Sequence, residues 1–305
     1  MPDVTVIIPT KNAGPCFRAT LKWIFAQKYS GTYEVLMVDS GSEDDTVKVA
    51  KEFGARVIEI RPEEFGHGKT RNFAARSACG GKLIFTTQDA VPADDKWLKR
   101  LSDDLDDPSI AGIYGRQIPK DDALPMERFF LNVRYPERGA RKTRRIFPGA
   151  PLRIDDVFFS NVNSAVKKEV LLKIPFREDI IISEDMQWAK DALLAGYCIA
   201  YDPDAAVVHS HNYNMITVFR RYFDSGVSFD QMRKIGGFSP KILRGGTKYV
   251  RQEMEFMRRN GYREWIPQAI VYNISKFLGV TIGKKYWLLP KFVRRMCSSH
   301  RAYWR

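Results

Sequence analysis

Short apolar runs alternate with helix-like segments along the N-terminal part of the chain. The runs are rich in Val, Ile and Phe and have the length of buried strands. They cover residues 4–9, 33–38, 56–60, 82–87 and 110–117. Strands that alternate with helices are joined by right-handed crossovers within one sheet. The pattern therefore predicts an α/β fold, with a mostly parallel central sheet flanked by helices.

Polar loops follow three of these runs: Thr10-Lys11-Asn12, Asp39-Ser40-Gly41 and Thr87-Gln88-Asp89. A doubly wound sheet gathers such loops into one crevice at the carboxyl edge of its strands, where ligands bind. Neither a G-x-G-x-x-G fingerprint after the first strand nor a G-x-x-x-x-G-K-[ST] loop is present in the sequence. We therefore expect a single nucleotide held by side chains, although each loop alone is also compatible with a solvated turn.

Asp89 ends the apolar run at residues 83–87, and Pro92 stops it. A carboxylate at a sheet edge can hold a hard cation against a phosphorylated substrate. Alternatively, it caps the helix that follows.

Composition narrows the class of partner. The chain has 305 residues, and 49 Lys and Arg against 36 Asp and Glu give a net charge of +13. This excess indicates a phosphate-bearing partner, namely a nucleotide, a nucleic acid or an anionic membrane. Its four cysteines are far apart, as expected of thiols in a reducing compartment. With neither a signal peptide nor an apolar run long enough to span a bilayer, we expect a cytoplasmic protein that can contact a membrane without crossing it.

An acidic pair, Glu184 and Asp185, follows the apolar stretch 180–182. Ser183 is a candidate helix cap, and acidic residues in a first helical turn often only complement the helix dipole. The apolar flank and the neighbouring Glu184 would also raise the pKa of Asp185 towards the range of a general base.

His209 and His211 are two residues apart on a predicted strand, so their rings face the same side, as metal ligands would. Histidines without a ligand are the alternative, and the spacing leaves open which of the two contacts a metal.

Two further segments are strongly basic. The first is a segment that contains Pro148 and six cations: Arg134, Arg138, Arg141, Lys142, Arg144 and Arg145. This segment forms either a solvated loop, a lid over a diphosphate or a lipid-headgroup patch. After a catalytic domain at residues 1–215, residues 216–305 are predicted to be helical. Aromatic residues alternate with Lys and Arg there, which is typical of an interfacial helix. Packing against the catalytic domain or a second subunit is equally compatible with this pattern.

Several motifs together resemble the family 2 glycosyltransferases of GT-A fold. Residues 6–12 and 38–46 resemble the opening of that family, and residues 65–72, 87–92 and 209–213 resemble its bacterial rhamnosyltransferase branch. The resemblance implies that Thr10, Asn12 and Asp39 grip a pyrimidine base, with Asp39 accepting the ring N–H. It also implies a wider set of donor-binding residues: Pro9, Thr10, Asn12, Asp39, Ser40, His67, Lys69, Arg71, Gln88 and Asp89. Arg71 is alternatively a surface helix charge.

The same resemblance assigns the chemistry. It implies that Asp185 is the base of an inverting transfer, supported by Glu184. Asp89, with His209, would hold Mg²⁺ or Mn²⁺. The family's Asp-x-Asp is changed here, because Thr87 occupies the first position.

The expected reaction is transfer of L-rhamnose from dTDP-L-rhamnose to a cell-surface or lipid-linked glycan. UDP-glucose, UDP-galactose or UDP-GlcNAc are alternative donors. A nucleotidyltransferase and a basic nucleic-acid-binding protein are further alternatives, and acids at the sheet edge disfavour nucleic acid because they repel a polyanion.

Overall fold

A nine-stranded sheet organises the described part of the chain. The computed structural model describes residues 1–137, 139, 142–145, 152, 155–235 and 243–304, the last range with side chains from residue 246 onwards. Arg138, Arg141 and Pro148 of the predicted basic segment lie outside these residues. The strands are β1 Val4–Thr10, β2 Tyr33–Asp39, β3 Arg56–Glu59, β4 Lys82–Thr86, β5 Val91–Pro92, β6 Ile110–Ile118, β7 Lys142–Arg144, β8 Asn163–Lys167 and β9 Cys198–Val208.

The strand order is β3-β2-β1-β4-β8-β6-β9-β5, and β7 pairs with β9. The first four strands of this order are mutually parallel, as the alternating pattern predicts. β8 runs antiparallel to both β4 and β6, so the sheet is mixed beyond β4. Strand β8 begins only at Asn163, because Asn161 and Val162 form a turn. That turn proves important for the site.

Helices cover both faces of the sheet. They are α1 Phe17–Phe25, α2 Thr46–Glu52, α3 His67–Ser77, α4 Trp97–Asp103, α5 Pro125–Arg134, α6 Lys168–Lys173, α7 Glu184–Leu194, α8 Met215–Lys234, α9 Leu243–Arg259, α10 Ile266–Gly283 and α11 Lys291–Cys297. One core layer includes Phe85, Phe176 and Trp188, and the other includes Ile84 and Trp97, all fully buried. Alternate residues of β4 thus face opposite layers, as strand geometry requires.

The C-terminal helices are held together by close backbone contact. A Cβ atom on Gly283 of α10 would lie 2.1 Å from the carbonyl oxygen of Phe223 on α8, so only glycine allows this approach. Helix α9 packs on α5 through Phe129, whose ring contacts those of Tyr249 and Phe256. The helical character predicted after residue 215 is present, and α8 begins at Met215. The division into two domains at that point stays a prediction. Among the described helices, none combines the length and apolar character that a membrane crossing needs.

Candidate active site

The loops after β1 and β2 are tied together by the carboxylate of Asp39, which is almost fully buried. Its Oδ1 accepts hydrogen bonds from the hydroxyls of Thr10 (3.0 Å) and Ser42 (2.6 Å). Its Oδ2 accepts from the backbone N–H groups of Gly41 (3.0 Å) and Ser42 (2.8 Å). A carboxylate has about four acceptor positions. Asp39 therefore shapes this loop pair, and its predicted contact with a base N–H requires one of these donors to move.

Two further predicted donor-binding residues join the loops to one another. Asn12 has a left-handed backbone (φ 46°), and its Oδ1 accepts from the N–H of Glu43 at 2.8 Å. Gln88 accepts from the N–H of Lys11 at 2.9 Å and donates to its carbonyl at 3.2 Å. The side chain of Gln88 thus continues the β1–β4 pairing beyond the last strand residue. As predicted, the three polar loops meet at one edge.

Asp89, His209 and His211 form a potential metal centre, in which one ligand atom from each lies within 4.8 Å of the others. Asp89 is 3.6 Å from Nε2 of His209 and 3.3 Å from Nε2 of His211. Both histidines lie just beyond the end of β9, rather than on the strand. Asp89 does not cap a helix, because the next helix, α4, begins at Trp97 after its N-cap residue Lys96.

The orientation of His209 is set by Gln117 of β6. Nδ1 of His209 lies 2.9 Å from Oε1 of Gln117, whose Nε2 donates to the Tyr135 hydroxyl at 2.6 Å and to the Ser160 hydroxyl at 3.2 Å. Because the amide N–H₂ is committed to these two acceptors, its oxygen must receive the proton from Nδ1. Nε2 of His209 is then an acceptor that faces Asp89. This is the arrangement that metal-binding histidines usually show.

The acidic pair begins helix α7. Ser183 is its N-cap residue as predicted, but it has a left-handed backbone (φ 64°) and its side chain makes no capping hydrogen bond. A non-glycine residue pays a strain of roughly 1–3 kcal/mol in this region. The strained turn directs Asp185 at the turn after Ser160, where its Oδ2 accepts from the N–H of Asn161 at 3.0 Å.

Glu184 and Arg71 form a buried ion pair. Their side chains are 5% and 8% exposed, and Arg71 Nη1 lies 2.9 Å from Glu184 Oε1. Arg71 is therefore not a surface charge, which excludes that alternative. Its Nε is buried without a hydrogen-bond partner among the described residues. Oε1 of Glu184 also lies 3.4 Å from Nδ2 of Asn161.

The pKa values of the two neighbouring carboxyl groups shift in opposite directions. Burial, and next the Glu184 carboxylate, raise the pKa of Asp185 to about 7. Burial opposes ionisation of Glu184, but the guanidinium of Arg71 holds the pKa of Glu184 below its usual value. Groups with separated pKa values suit separate roles, so Asp185 has the proton affinity of a general base near neutrality while Glu184 remains charged.

Hydrogen bonds and one close side-chain contact join the two centres. From Asp89 the path runs through His209 to Gln117 and on to Ser160, whose chain neighbour Asn161 binds Asp185. A chain of contacts thus connects the predicted cation ligand with the predicted base. Of the other predicted residues, Pro9 is half-buried, Ser40 is buried with its hydroxyl donating to the Thr10 carbonyl, and Lys69 is exposed.

Sequence reasoning missed Gln117 and Tyr135 as site residues, because they come from separate segments and belong to no motif that the sequence shows. Ser160 and Asn161 lie in the stretch 158–165, which resembles the family's segment that borders the acceptor side of the cleft.

Comparisons with known proteins show similarity to one family. The sequence model described as "Glycosyl transferase family 2" matches residues 5–170. The chain is 36% identical to the O-antigen chain rhamnosyltransferase RfbN of Salmonella typhimurium, over 99% of this chain and 96% of the relative. It is 35% identical to the O-antigen chain rhamnosyltransferase WbaN of Salmonella anatum, over 100% of this chain and 96% of that protein.

Solved structures share the fold at low sequence identity. The mannosyltransferase PcManGT from Pyrobaculum calidifontis, in complex with GDP-Man and Mn²⁺, has a TM-score of 0.60 at 20% identity and is matched over 99% of this chain and 85% of that one. S. aureus TarS 1-349 in complex with UDP has a TM-score of 0.54 at 16% identity, over 94% of this chain and 91% of that one.

Proposed function

Because the chain belongs to the family 2 glycosyltransferases, with a GT-A fold, we propose that it transfers L-rhamnose from dTDP-L-rhamnose to a hydroxyl of a cell-surface or lipid-linked glycan. The proposal for the sugar rests on the two full-length relatives, which are named as O-antigen chain rhamnosyltransferases. Family membership sets aside the nucleotidyltransferase and nucleic-acid-binding alternatives. Other nucleotide-sugars remain competing donors.

The observation that carries the proposal is the chain of contacts that connects Asp89 with Asp185. A transferase must hold the diphosphate leaving group and the attacking hydroxyl on either side of one anomeric carbon. Asp185 removes the proton from the acceptor hydroxyl as its oxygen attacks. Glu184 stays ionised beside Arg71 and raises the proton affinity of Asp185. With Asp185 as base and no covalent sugar–enzyme intermediate, the anomeric configuration inverts.

The residues at the metal centre fit a divalent cation. One carboxylate and two imidazoles converge, and the Gln117 contact leaves Nε2 of His209 free to ligate. Two nitrogen ligands favour Mn²⁺ over Mg²⁺, which prefers oxygen ligands and retains its water. Asp89, His209 and His211 would hold the ion. When bound, it neutralises charge on the nucleoside diphosphate that leaves.

We also propose that the C-terminal helices contact an anionic membrane surface. Ile270, Val271, Ile274, Phe277 and Leu278 are 45–54% exposed and recur at the spacing of one helix face, opposite the face of α10 that packs on α8. Residues 265–305 contain eight Lys and Arg and no Asp or Glu. An apolar face flanked by cations fits a lipid–water interface. Contact with a second copy of the chain is the competing use of this face.

A donor panel tests the proposed reaction. Release of nucleoside diphosphate would be measured for dTDP-L-rhamnose, UDP-glucose, UDP-galactose and UDP-GlcNAc, with and without a chelator. We expect the highest kcat/KM with dTDP-L-rhamnose and loss of turnover in chelator that added Mn²⁺ restores. Preference for a UDP-sugar would overturn the assignment of the sugar, and no turnover with any donor would overturn the proposed reaction. Comparing the anomeric configuration (α or β) of the product linkage with that of the donor sugar tests inversion.

A further inference from the structure

The C-terminal segment 298–304 is anchored against the residues that precede the acidic pair. The carboxylate of Asp224, on α8, accepts a hydrogen bond from the N–H of Ser299 at 2.9 Å and is fully buried. The hydroxyl of Tyr303 donates to the carbonyl of Asp179 at 2.8 Å. Trp304 is 6% exposed and packs in a cluster with Ile181. The segment is thus fixed at both ends, next to the turn that enters α7.

His300 lies between these anchors and reaches the site. Its N–H donates to the hydroxyl of Ser298 at 2.9 Å, and its ring meets the ring of His67 edge to face, with centroids 4.9 Å apart and an interplanar angle of 82°. The carbonyl of His67 accepts from Nη1 of Arg71 at 3.2 Å, and the same nitrogen binds Glu184. His300 thus contacts His67, and His67 in turn contacts Arg71 of the ion pair beside Asp185.

Both imidazoles are neutral near pH 7. Burial, followed by His67 and Arg221, lowers the pKa of His300 to about 3, against the opposing effect of Glu184. Burial likewise lowers the pKa of His67, with Arg71 and Arg221 adding to it and Glu184 opposing it. The two neutral rings form a wall beside the Arg71–Glu184 ion pair that adds no charge.

We infer that His300, held in place by the anchors at Ser299 and Tyr303, is a positioning residue, which holds His67 against the Arg71–Glu184 ion pair and keeps water from it. The inference rests on the proposed function in one respect, that Asp185 is the base. Because Asp185 owes its proton affinity first to burial, opening this wall should hydrate the acidic pair and lower the pH at which the base loses its proton.

Three variants test this inference. His300→Ala removes the ring, His300→Phe keeps an aromatic edge of similar size, and Arg301→Ala is a matched control at an exposed neighbour. The readouts are the pH dependence of kcat/KM and amide hydrogen exchange of residues 180–186. For His300→Ala we expect the acidic limb to move down by about one pH unit, kcat to fall about tenfold, and exchange to increase. His300→Phe and Arg301→Ala should keep the wild-type limb and exchange.

The outcomes separate this inference from the proposed function. If the wild type turns over no donor, the proposed reaction fails, and hydrogen exchange still tests the anchoring. A His300→Ala limb and exchange pattern equal to those of Arg301→Ala would overturn the inference. Should His300→Ala fail to fold, as seen by circular dichroism, His300→Phe decides: a wild-type limb supports the positioning role, and a displaced limb contradicts it.

Discussion

Nδ1 of His209 lies 2.9 Å from the side-chain oxygen of Gln117, while Nε2 of the same ring is 3.6 Å from Asp89. One imidazole thus connects a buried amide, fixed by two further hydrogen bonds, to the carboxylate at the end of β4. Because Gln117 orients the ring from behind, we expect it to contribute to cation binding without touching the cation.

Replacing Gln117 by Leu should lower the affinity for Mn²⁺ about 10- to 100-fold, the range found when such orienting partners are removed. Isothermal titration with Mn²⁺ would measure this effect. Ser160→Ala is the matched control, because it removes one of the two acceptors of the Gln117 amide and leaves Tyr135 in place. Unchanged Mn²⁺ affinity in Gln117→Leu would show that the ring is oriented by other contacts.

Asp185→Asn should lower kcat about 10²- to 10⁴-fold, because asparagine cannot accept the acceptor's proton. Binding of dTDP should persist, since the change is on the acceptor side of the site. In the wild type, the acidic limb of the kcat/KM profile should lie near pH 7, where Asp185 loses its proton. Glu169→Gln, which alters an exposed acid on α6, is the control for both measurements. A limb near pH 4 would contradict the raised pKa of Asp185.

The same substitution should stabilise the folded protein at alkaline pH. Asp185 has a higher pKa in the folded chain (about 7) than in the unfolded chain, where Asp titrates at about 3.9. The folded state therefore binds this proton more tightly, and wild-type stability falls as the pH rises through that interval. We expect the Tm of Asp185→Asn to exceed that of the wild type by about 2–6 °C at pH 8 and by much less at pH 4. An equal Tm difference at both pH values would refute this linkage.

The exposed apolar face of α10 is predicted to bind anionic membranes. The double variant Ile274→Ser, Phe277→Ser should lose at least about tenfold of its binding to vesicles that contain phosphatidylglycerol, and high salt should weaken wild-type binding. Co-sedimentation measures both effects. Leu172→Ser, at an exposed apolar residue of α6, is the control and should bind like the wild type. A wild type that ignores vesicles but dimerises through this face, as sedimentation would show, contradicts the membrane assignment.

Local patterns were sufficient to predict strands β1 to β4 and β6 and the polar loops after β1, β2 and β4. Alternating strands and helices dictate the sheet edge, and hence the meeting of Asp39, Gln88 and Asp89. What the pattern did not contain was the long-range pairing. Asn161 reaches Asp185 from the turn that precedes β8, and His300 reaches His67 across most of the chain.

The left-handed backbone of Ser183 was also beyond sequence reasoning, since serine has no intrinsic preference for that conformation. Tertiary contacts hold it in place: the carbonyl of Ile182 accepts from Ser228, and the N–H of Ile181 donates to Gln231, both on α8. Helix α8 therefore stabilises the turn that precedes α7. This contact joins segments far apart in the sequence, so local patterns do not predict it.

The most direct test is a crystal structure with dTDP and Mn²⁺, in which anomalous scattering locates the ion. We predict one Mn²⁺ bound by Asp89, His209 and His211 and in contact with the diphosphate, with the thymine against the β1 and β2 loops and Asp185 facing the space beyond the terminal phosphate. Mn²⁺ at another site, or a diphosphate away from Asp89 and Asp185, would contradict the single shared site.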